Sequence, residues 1–298
     1  VGGVSSVFVW VPVFTAYQLL TPQGGKQPGD WVEDRPAGVE GTDWAQEIFG
    51  GFYAGKYEAS RSDASGISTG TGTTLKVAHG VVPWVSIDWD EASRRCREYA
   101  PNAHLMKDDE WTALAVWSMI HNPDPIYGNN NYGTDANLGS ITFTDDPTYG
   151  TVDRALTGTG THPSWTDGQN LTTHTGRTDG VYDLNGNVWE WTASLGADLG
   201  QYQTDDAKMS VNAPAGGYLN GLSTHPLLRR YGVPGSTSGT SRVEVGEDYF
   251  WINSSIIVKP LRGGDWSNAG RAGVWTLDLY YARSIVYTDV GFRPALRF

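Results

Sequence analysis

The nine residues DLNGNVWEW, 183–191, are the stretch from which the rest of this chain is most usefully read. They belong to a segment, 179–195, in which strand character returns after a long irregular run. From Pro123 to Gly180 the sequence is Asn, Gly, Thr and Asp with scattered aromatics. Phe143, Tyr149 and Trp165 call for burial, so this run reads as ordered irregular structure rather than a linker. A second loop-rich insertion, 196–248, follows and leads into a strand at 249–258.

Upstream, the runs VFVWVPVFTAYQLL (7–20) and FYAGKYEA (52–59) are apolar or alternating, rich in β-branched and aromatic residues, and predict strands around a Gly/Pro/Asp-rich loop. Two helices follow. The first starts near Ser86, with Ser86 or Asp88 as its cap, runs through Trp89, Ala92, Cys96 and Tyr99, and stops at Pro101. The second begins at Asp108 or Asp109, where acids suit the helix dipole, and continues through Trp111, Leu114, Ala115 and Met119 to Asn122-Pro123. With no internal repeat and no low-complexity linker, the pattern predicts a single α+β domain over 1–298, with insertions at about 123–180 and 196–248.

Composition narrows the function. The chain has 298 residues, is 39% hydrophobic and contains 13 Trp, 15 Tyr and 8 Phe, enough for a substantial core. A formal charge of -12 disfavours phosphate backbones and anionic membranes, so neither a nucleic acid nor membrane insertion is expected. The longest apolar run, Val7 to Phe14, is too short to span a bilayer and lacks the flanks of a signal peptide. Cys96 is the single cysteine, which excludes an internal disulfide and a multi-cysteine metal site; its place in a helical pattern reads as a buried thiol.

The runs FYAGKYEAS, PWVSIDWDEASRRC, HLMKDDEWTALA, IYGNN with ANLG, DLNGNVWEW, RGGDW and a closing GFR occur in this order over nearly the whole chain. Together they resemble the formylglycine-generating-enzyme (sulfatase-modifying factor) type of the C-type lectin fold. That resemblance implies an α+β fold with two helices, short strands and long ordered loops. Two departures matter. His104-Leu105-Met106-Lys107 stands where the family often has an Arg-Leu-Pro-Thr lead into the second helix, so the usual capping Thr is missing. The oxidases of the family also place cysteine thiolates between RGG and GFR, and 262–298 contains no Cys. The three-His iron site of sulfoxide-synthase relatives is not suggested either, because His79, His104, His121, His162, His174 and His225 show no paired ligand spacing.

The tail, 262–298, is two patterns interleaved. Arg262-Gly263-Gly264, Trp266, 272–275, Leu277, Leu279 and 291–293 supply turns, anchors and short strands, and Trp266, Trp275 and Phe292 are expected to bury against GNVWEW. Asp265, Ser267, Asn268, Arg271, Asp278, Tyr280, Tyr281, Ile285, Tyr287 and Asp289 mix every chemistry with neither helical nor strand period. This resembles the variable proteins of diversity-generating retroelements. Their adenine-directed copying of Asn codons yields codons ending in a pyrimidine, which never encode Lys, Glu, Gln, Met or Trp. Residues 262–298 hold no Lys, Glu, Gln or Met, although these make up roughly one residue in ten upstream, and Trp stands only at framework positions 266 and 275. Arg283, Val286 and Thr288 fit either pattern.

The resemblance implies a non-catalytic ligand-binding protein whose ten arbitrary positions meet a protein or other surface ligand. The tyrosines would supply broad contact area and the acids and amides adaptable hydrogen bonds. It implies no catalytic cofactor. It does imply a structural calcium, with Asn187 and Glu190 matching the ligands in GNVWEW and Asn137 in ANLG matching part of a second site. An oxidase of the same family and a calcium-dependent carbohydrate-binding lectin are the alternatives.

Overall fold

A computed structural model describes residues 5–15, 48–121, 128–129, 141–146, 150–159, 172–175, 177–193, 215–219, 230–238, 248–253 and 258–298. Helix α1 spans Trp89–Tyr99 and helix α2 spans Asp108–His121. The strands of the two larger sheets are β1 (Phe8–Val11), β2 (Phe52–Gly55), β3 (Ala103–Leu105), β4 (Trp189–Trp191), β5 (Gly217–Leu219), β6 (Thr237–Ser238), β7 (Tyr249–Ile252), β8 (Leu261–Gly263), β9 (Gly273–Leu279), β10 (Val290–Phe292) and β11 (Pro294–Leu296). The chain is thus mixed α+β, with two helices and many short strands among the described residues.

α1 is capped by Asp88, whose carboxylate accepts the Glu91 N–H at 2.8 Å, so of the two expected caps it is Asp88 that serves. Ala92, Ser93 and Cys96 form its buried face, while Arg94 and Arg95 pair with Glu91 and Glu98 on the outside. α2 begins at Asp108 without a Thr cap. Glu110 reaches back instead and accepts the Lys107 N–H at 3.0 Å, which is one half of a capping box. From Asp108 to Val116 every residue is buried, so this helix runs through the interior rather than over a surface.

A four-stranded sheet has the order β1-β2-β11-β3 and a seven-stranded sheet the order β6-β5-β7-β9-β8-β4-β10. β9 pairs antiparallel with β8 and parallel with β7, and β4 pairs parallel with β10, so the tail supplies strands to the middle and one edge of the larger sheet and to the smaller sheet as well. Three hairpins lie outside these sheets: Phe14–Thr15 with Ile48–Phe49, Ala59–Arg61 with Leu75–Val77, and Ile141–Asp146 with Gly150–Arg154. Among the described residues, the predicted strand at 7–20 holds Phe8–Val11 and Phe14–Thr15, and that at 52–59 holds Phe52–Gly55. Within the predicted strand at 249–258, the strand among the described residues is Tyr249–Ile252.

Two apolar clusters hold these layers together. One joins α2, through Trp111, Leu114 and Val116, to Phe250, Trp275, Leu277 and Leu279. The other joins Trp84, Ile87, Ala92 and Cys96 to Trp189, Trp191, Leu261, Val290 and Phe292. The buried indoles are also hydrogen-bonded: Trp111 Nε1 donates to the Val274 carbonyl at 2.6 Å and Trp191 Nε1 to that of Ile87 at 2.9 Å. Burial and bonding thus lock the strands that carry the tail.

Candidate functional site: an aromatic face over buried acids

The framework motifs of the tail are anchored by two buried arginines. Arg262 donates from Nε to Asp108 Oδ1 at 2.8 Å and from a terminal nitrogen to the Tyr231 carbonyl, which ties β8 to the start of α2. Arg293 pairs with both Glu190 oxygens, at 2.9 and 2.5 Å, and donates to the carbonyls of Gly55 and Tyr182. Gly264 at φ +79° makes the turn between β8 and the loop, and a Cβ there would lie 2.6 Å from that of Ala272. RGG, GFR and GNVWEW therefore form one buried assembly.

This arrangement sets the surroundings of the two residues expected to hold a structural calcium. Both Glu190 oxygens face a guanidinium. Asn187 Oδ1 accepts from Asn129 Nδ2 at 3.1 Å and the Ala155 N–H at 2.7 Å, and its Nδ2 donates to Glu58 at 2.7 Å. Asn187 Oδ1 thus accepts two hydrogen bonds and each Glu190 oxygen accepts one from a guanidinium, which competes with an ion for the same oxygens. Burial, then the charges of Asp183 and Glu190, holds the Glu58 carboxyl well above the usual range. Glu58 Oε1 and Asn129 Oδ1 remain without partners in this network. Asn137 lies outside the described residues.

The ten positions expected on the recognition face divide into three groups. Ser267, Arg271, Tyr280 and Tyr287 are exposed, the two tyrosines at 47% and 45%. Asn268, Tyr281, Ile285 and Asp289 are half-buried. Asp265 and Asp278 are buried, 2% and 4% exposed, which corrects their expected surface placement. Asp265 closes its own turn: its Oδ1 accepts both the N–H and the hydroxyl of Ser267 at 2.6 Å, and its N–H donates to Asn268 Oδ1 at 3.0 Å. Asp278 lies within β9, where Trp251 and Leu261 are its neighbours across the sheet. Trp275 and Phe292 are buried as expected, whereas Trp266 is only half-buried. Of the three positions that fit either pattern, Arg283 and Val286 are exposed and Thr288 is half-buried.

The structure does bring most of these residues together. Tyr281 stacks edge-on with Tyr280 at 5.3 Å and with Tyr287 at 5.4 Å. Burial raises the Tyr281 phenol pKa, and the nearby charges of Asp278, Tyr287 and Asp289 raise it further. Asp289 is pushed up to about 6 by burial and by Asp265, with which it shares a hydrogen bond. Asp278 is pushed up to about 7 by burial, offset only by the Tyr280 N–H that its Oδ1 accepts at 2.6 Å. Asp265 is also raised by burial, against hydrogen bonds from Ser267, Trp189 and Asn268.

Sequence reasoning missed the part of this face that lies outside the tail. β7 presents Tyr249 and Trp251, 4.4 Å apart, flanked by Tyr218 at 5.1 Å from Tyr249 and by Trp189 at 5.5 Å from Trp251. Aromatic residues two apart in YFWI were the available signal, since alternate strand residues share one face. Arg271 lies over the Tyr249 ring at 5.1 Å and so joins this row to the tail.

The lone thiol is remote in character from this face. Cys96 is fully buried on α1, and burial pushes its thiol up. Among the described residues no group of three or more His, Cys, Asp or Glu side chains is placed to hold a metal ion. Among them also, no helix is long and apolar enough to cross a membrane.

No family model matches the chain, and no curated protein does. Solved structures similar to it include variable proteins. The Major Tropism Determinant P3c variant is 16% identical over 82% of this chain and 50% of that one, with a TM-score of 0.33. Treponema denticola variable protein 1 is 14% identical over 87% of this chain and 90% of that one, with a TM-score of 0.40. PvdO from Pseudomonas aeruginosa is 14% identical over 89% of each chain, also at 0.40. The chain spans about half the length of the Major Tropism Determinant chains it matches. Identities of this size leave function to be read from the residues themselves.

Proposed function

We propose that this chain is a non-catalytic binding protein, a variable protein of the diversity-generating-retroelement kind. Its scaffold is C-type lectin-like, of the formylglycine-generating-enzyme type, and 262–298 is its exchangeable recognition region. One observation carries the reading. Within a single short segment, buried framework residues held by Arg262 and Arg293 alternate with exposed Ser267, Arg271, Tyr280 and Tyr287, and no Lys, Glu, Gln or Met occurs anywhere in it. An ordinary surface loop has no reason to avoid Lys and Glu, which are favoured where side chains meet water.

The ligand is a protein or another surface molecule, engaged by Tyr280, Tyr281, Tyr287 and Ile285 with Ser267, Asn268 and Arg271 at the margin. Asp265, Asp278 and Asp289 form its floor. An oxidase role is disfavoured because the sole thiol is buried in α1 and none stands in the tail. A calcium-dependent lectin role is disfavoured by the guanidinium that occupies Glu190.

The test lies in the coding DNA. A near-copy of the codons for 262–298, differing mainly at adenines and adjacent to a reverse transcriptase gene, is the expected finding. A genome with neither would overturn the assignment.

A further inference from the structure

Among the described residues, the smaller sheet ends in a strand with one free edge. In its order β1-β2-β11-β3, β1 is outermost and pairs only with β2. The carbonyls of Val7 and Val11 turn inward, accepting the N–H groups of Lys56 at 2.9 Å and Gly51 at 2.8 Å. Main-chain groups alternate along an antiparallel strand, so those of Phe8 and Trp10 turn outward to the free edge. The hairpin strand Leu75–Val77 meets the chain just before β1, where Val77 accepts the Val7 N–H at 3.0 Å and donates to the Ser6 hydroxyl at 2.9 Å.

The side chains along this edge are apolar and partly bare. Phe8 packs against Tyr99 of α1, with ring centroids 5.8 Å apart. Trp10, two residues on and so on the same face, is 48% exposed and touches Tyr53 at 4.8 Å. Tyr53 in turn meets Phe298, which is 90% exposed, at 5.9 Å. Val7 and Val13, at either end of the strand, are exposed at 40% and 64%. A free strand edge lined in this way is a template for pairing with another chain.

Charge indicates which chain that is. Residues 1–25 contain no Asp, Glu, Lys, Arg or His, although the whole chain has a formal charge of -12. Exposed edges are ordinarily blunted by a lysine, an inward charge or a proline within the strand, and Pro12 stands just past the end of β1. A basic partner would be drawn to the carboxylates elsewhere on this acidic chain and finds none on the edge. A partner of the same sign is repelled elsewhere and can approach closely only through an uncharged surface. A second copy of this chain is such a partner, and it brings the matching edge.

We propose that two copies of this chain associate by antiparallel pairing of β1 with β1 about a two-fold axis at Val9. In that register the outward main-chain groups of Phe8 exchange both hydrogen bonds with those of the partner copy's Trp10, and the two Val9 residues face each other as the non-hydrogen-bonded pair. Trp10 then lies directly opposite the partner copy's Phe8 on one face, which covers the indole left exposed in the single chain. The smaller sheets of the two copies run on as one sheet across the axis. The pairing does not depend on the reading of 262–298; where that reading holds, the dimer presents the recognition region twice and grips a repeated surface ligand with avidity.

Sedimentation velocity of the full chain, from low micromolar concentration to the solubility limit, reads the association state, and the expected result is a concentration-dependent dimer. Trp10→Lys sets a charge against the partner copy's Phe8 and should weaken association roughly tenfold or more, with the thermal transition retained. Trp10→Pro removes an N–H that points away from β2, at an edge position where proline is tolerated, and should weaken it likewise. Val9→Cys tests the register. Facing residues of a non-hydrogen-bonded pair have Cβ atoms about 4.5–5.5 Å apart, so mild oxidation should link the two copies, while Cys96 stays buried on α1. A folded parent that sediments as a monomer throughout overturns the proposal, as do folded Trp10→Lys and Trp10→Pro variants that dimerise as well as the parent. A dimer that yields no Val9→Cys cross-link lies on another surface and overturns it too. None of these outcomes bears on the DNA test of 262–298.

Discussion

Two sets of acids lie in and beside the larger sheet of this molecule, and they are treated in opposite ways. In the framework, Glu190 is clasped by Arg293 and Asp108 by Arg262, with backbone carbonyls completing both guanidinium shells. In the tail, Asp278 is raised to about 7 and Asp289 to about 6 chiefly by burial, and no ion pair holds either among the described residues. The first arrangement spends polar groups on holding strands in register. The second gives Asp278 the Tyr280 N–H and Asp289 a hydrogen bond with Asp265, in place of an ion pair. Framework and face can therefore be told apart by charge pairing as well as by exposure.

Breaking the framework should have the largest effect. Arg293→Met strands Glu190 beside Glu58 and Asp183 in the interior, and loss of one partner of a buried pair costs about 3–5 kcal/mol. Urea denaturation should show that loss or outright failure to fold; a change below about 1 kcal/mol would mean the pair is not an anchor. Gly264→Ala should rank next, at roughly 1–3 kcal/mol, because it meets both a positive φ and the Ala272 side chain.

The acids of the tail should respond with the opposite sign. The folded-state pKa of Asp278 lies near 7, above its unfolded value, so the folded chain holds a proton that the unfolded chain releases. Stability from this group is complete below the unfolded pKa and is lost as pH rises toward about 7. Asp278→Asn removes that loss. The variant should melt higher than the parent at pH 7.5, and the difference should shrink toward pH 4.5 in calorimetric scans. A variant that melts lower at both pH values would show that the carboxylate is structurally required. The smallest effect belongs to the exposed residues: Ser267→Ala, Arg271→Ala and Tyr287→Ala should each shift stability by less than about 0.5 kcal/mol.

Much of this contrast was legible in the residues. The aromatic anchors, the acid-rich start of α2 and the two-pattern tail follow from periodicity and composition, because burial and capping leave local marks. The Arg293–Glu190 pair was not legible, since its partners are 103 residues apart and nothing in the local sequence separates an anchoring Glu from an ion ligand. Asp265 and Asp278 were placed on the surface for the same reason. An acid in an irregular segment reads as solvated, and only the fold shows that one closes a turn and the other is buried within β9 opposite Trp251. Tyr249 and Trp251 stand on an expected strand, but β7 meets the tail through sheet pairing, which leaves no local mark in the sequence.

The most direct test is a library of this chain in which Ser267, Arg271, Tyr280, Tyr281, Ile285 and Tyr287 are randomised together with pyrimidine-ended codons. Most members should retain a cooperative transition within a few degrees of the parent. If most members instead lose that transition, these side chains belong to the core, and a fixed framework bearing an exchangeable face is the wrong description of the molecule.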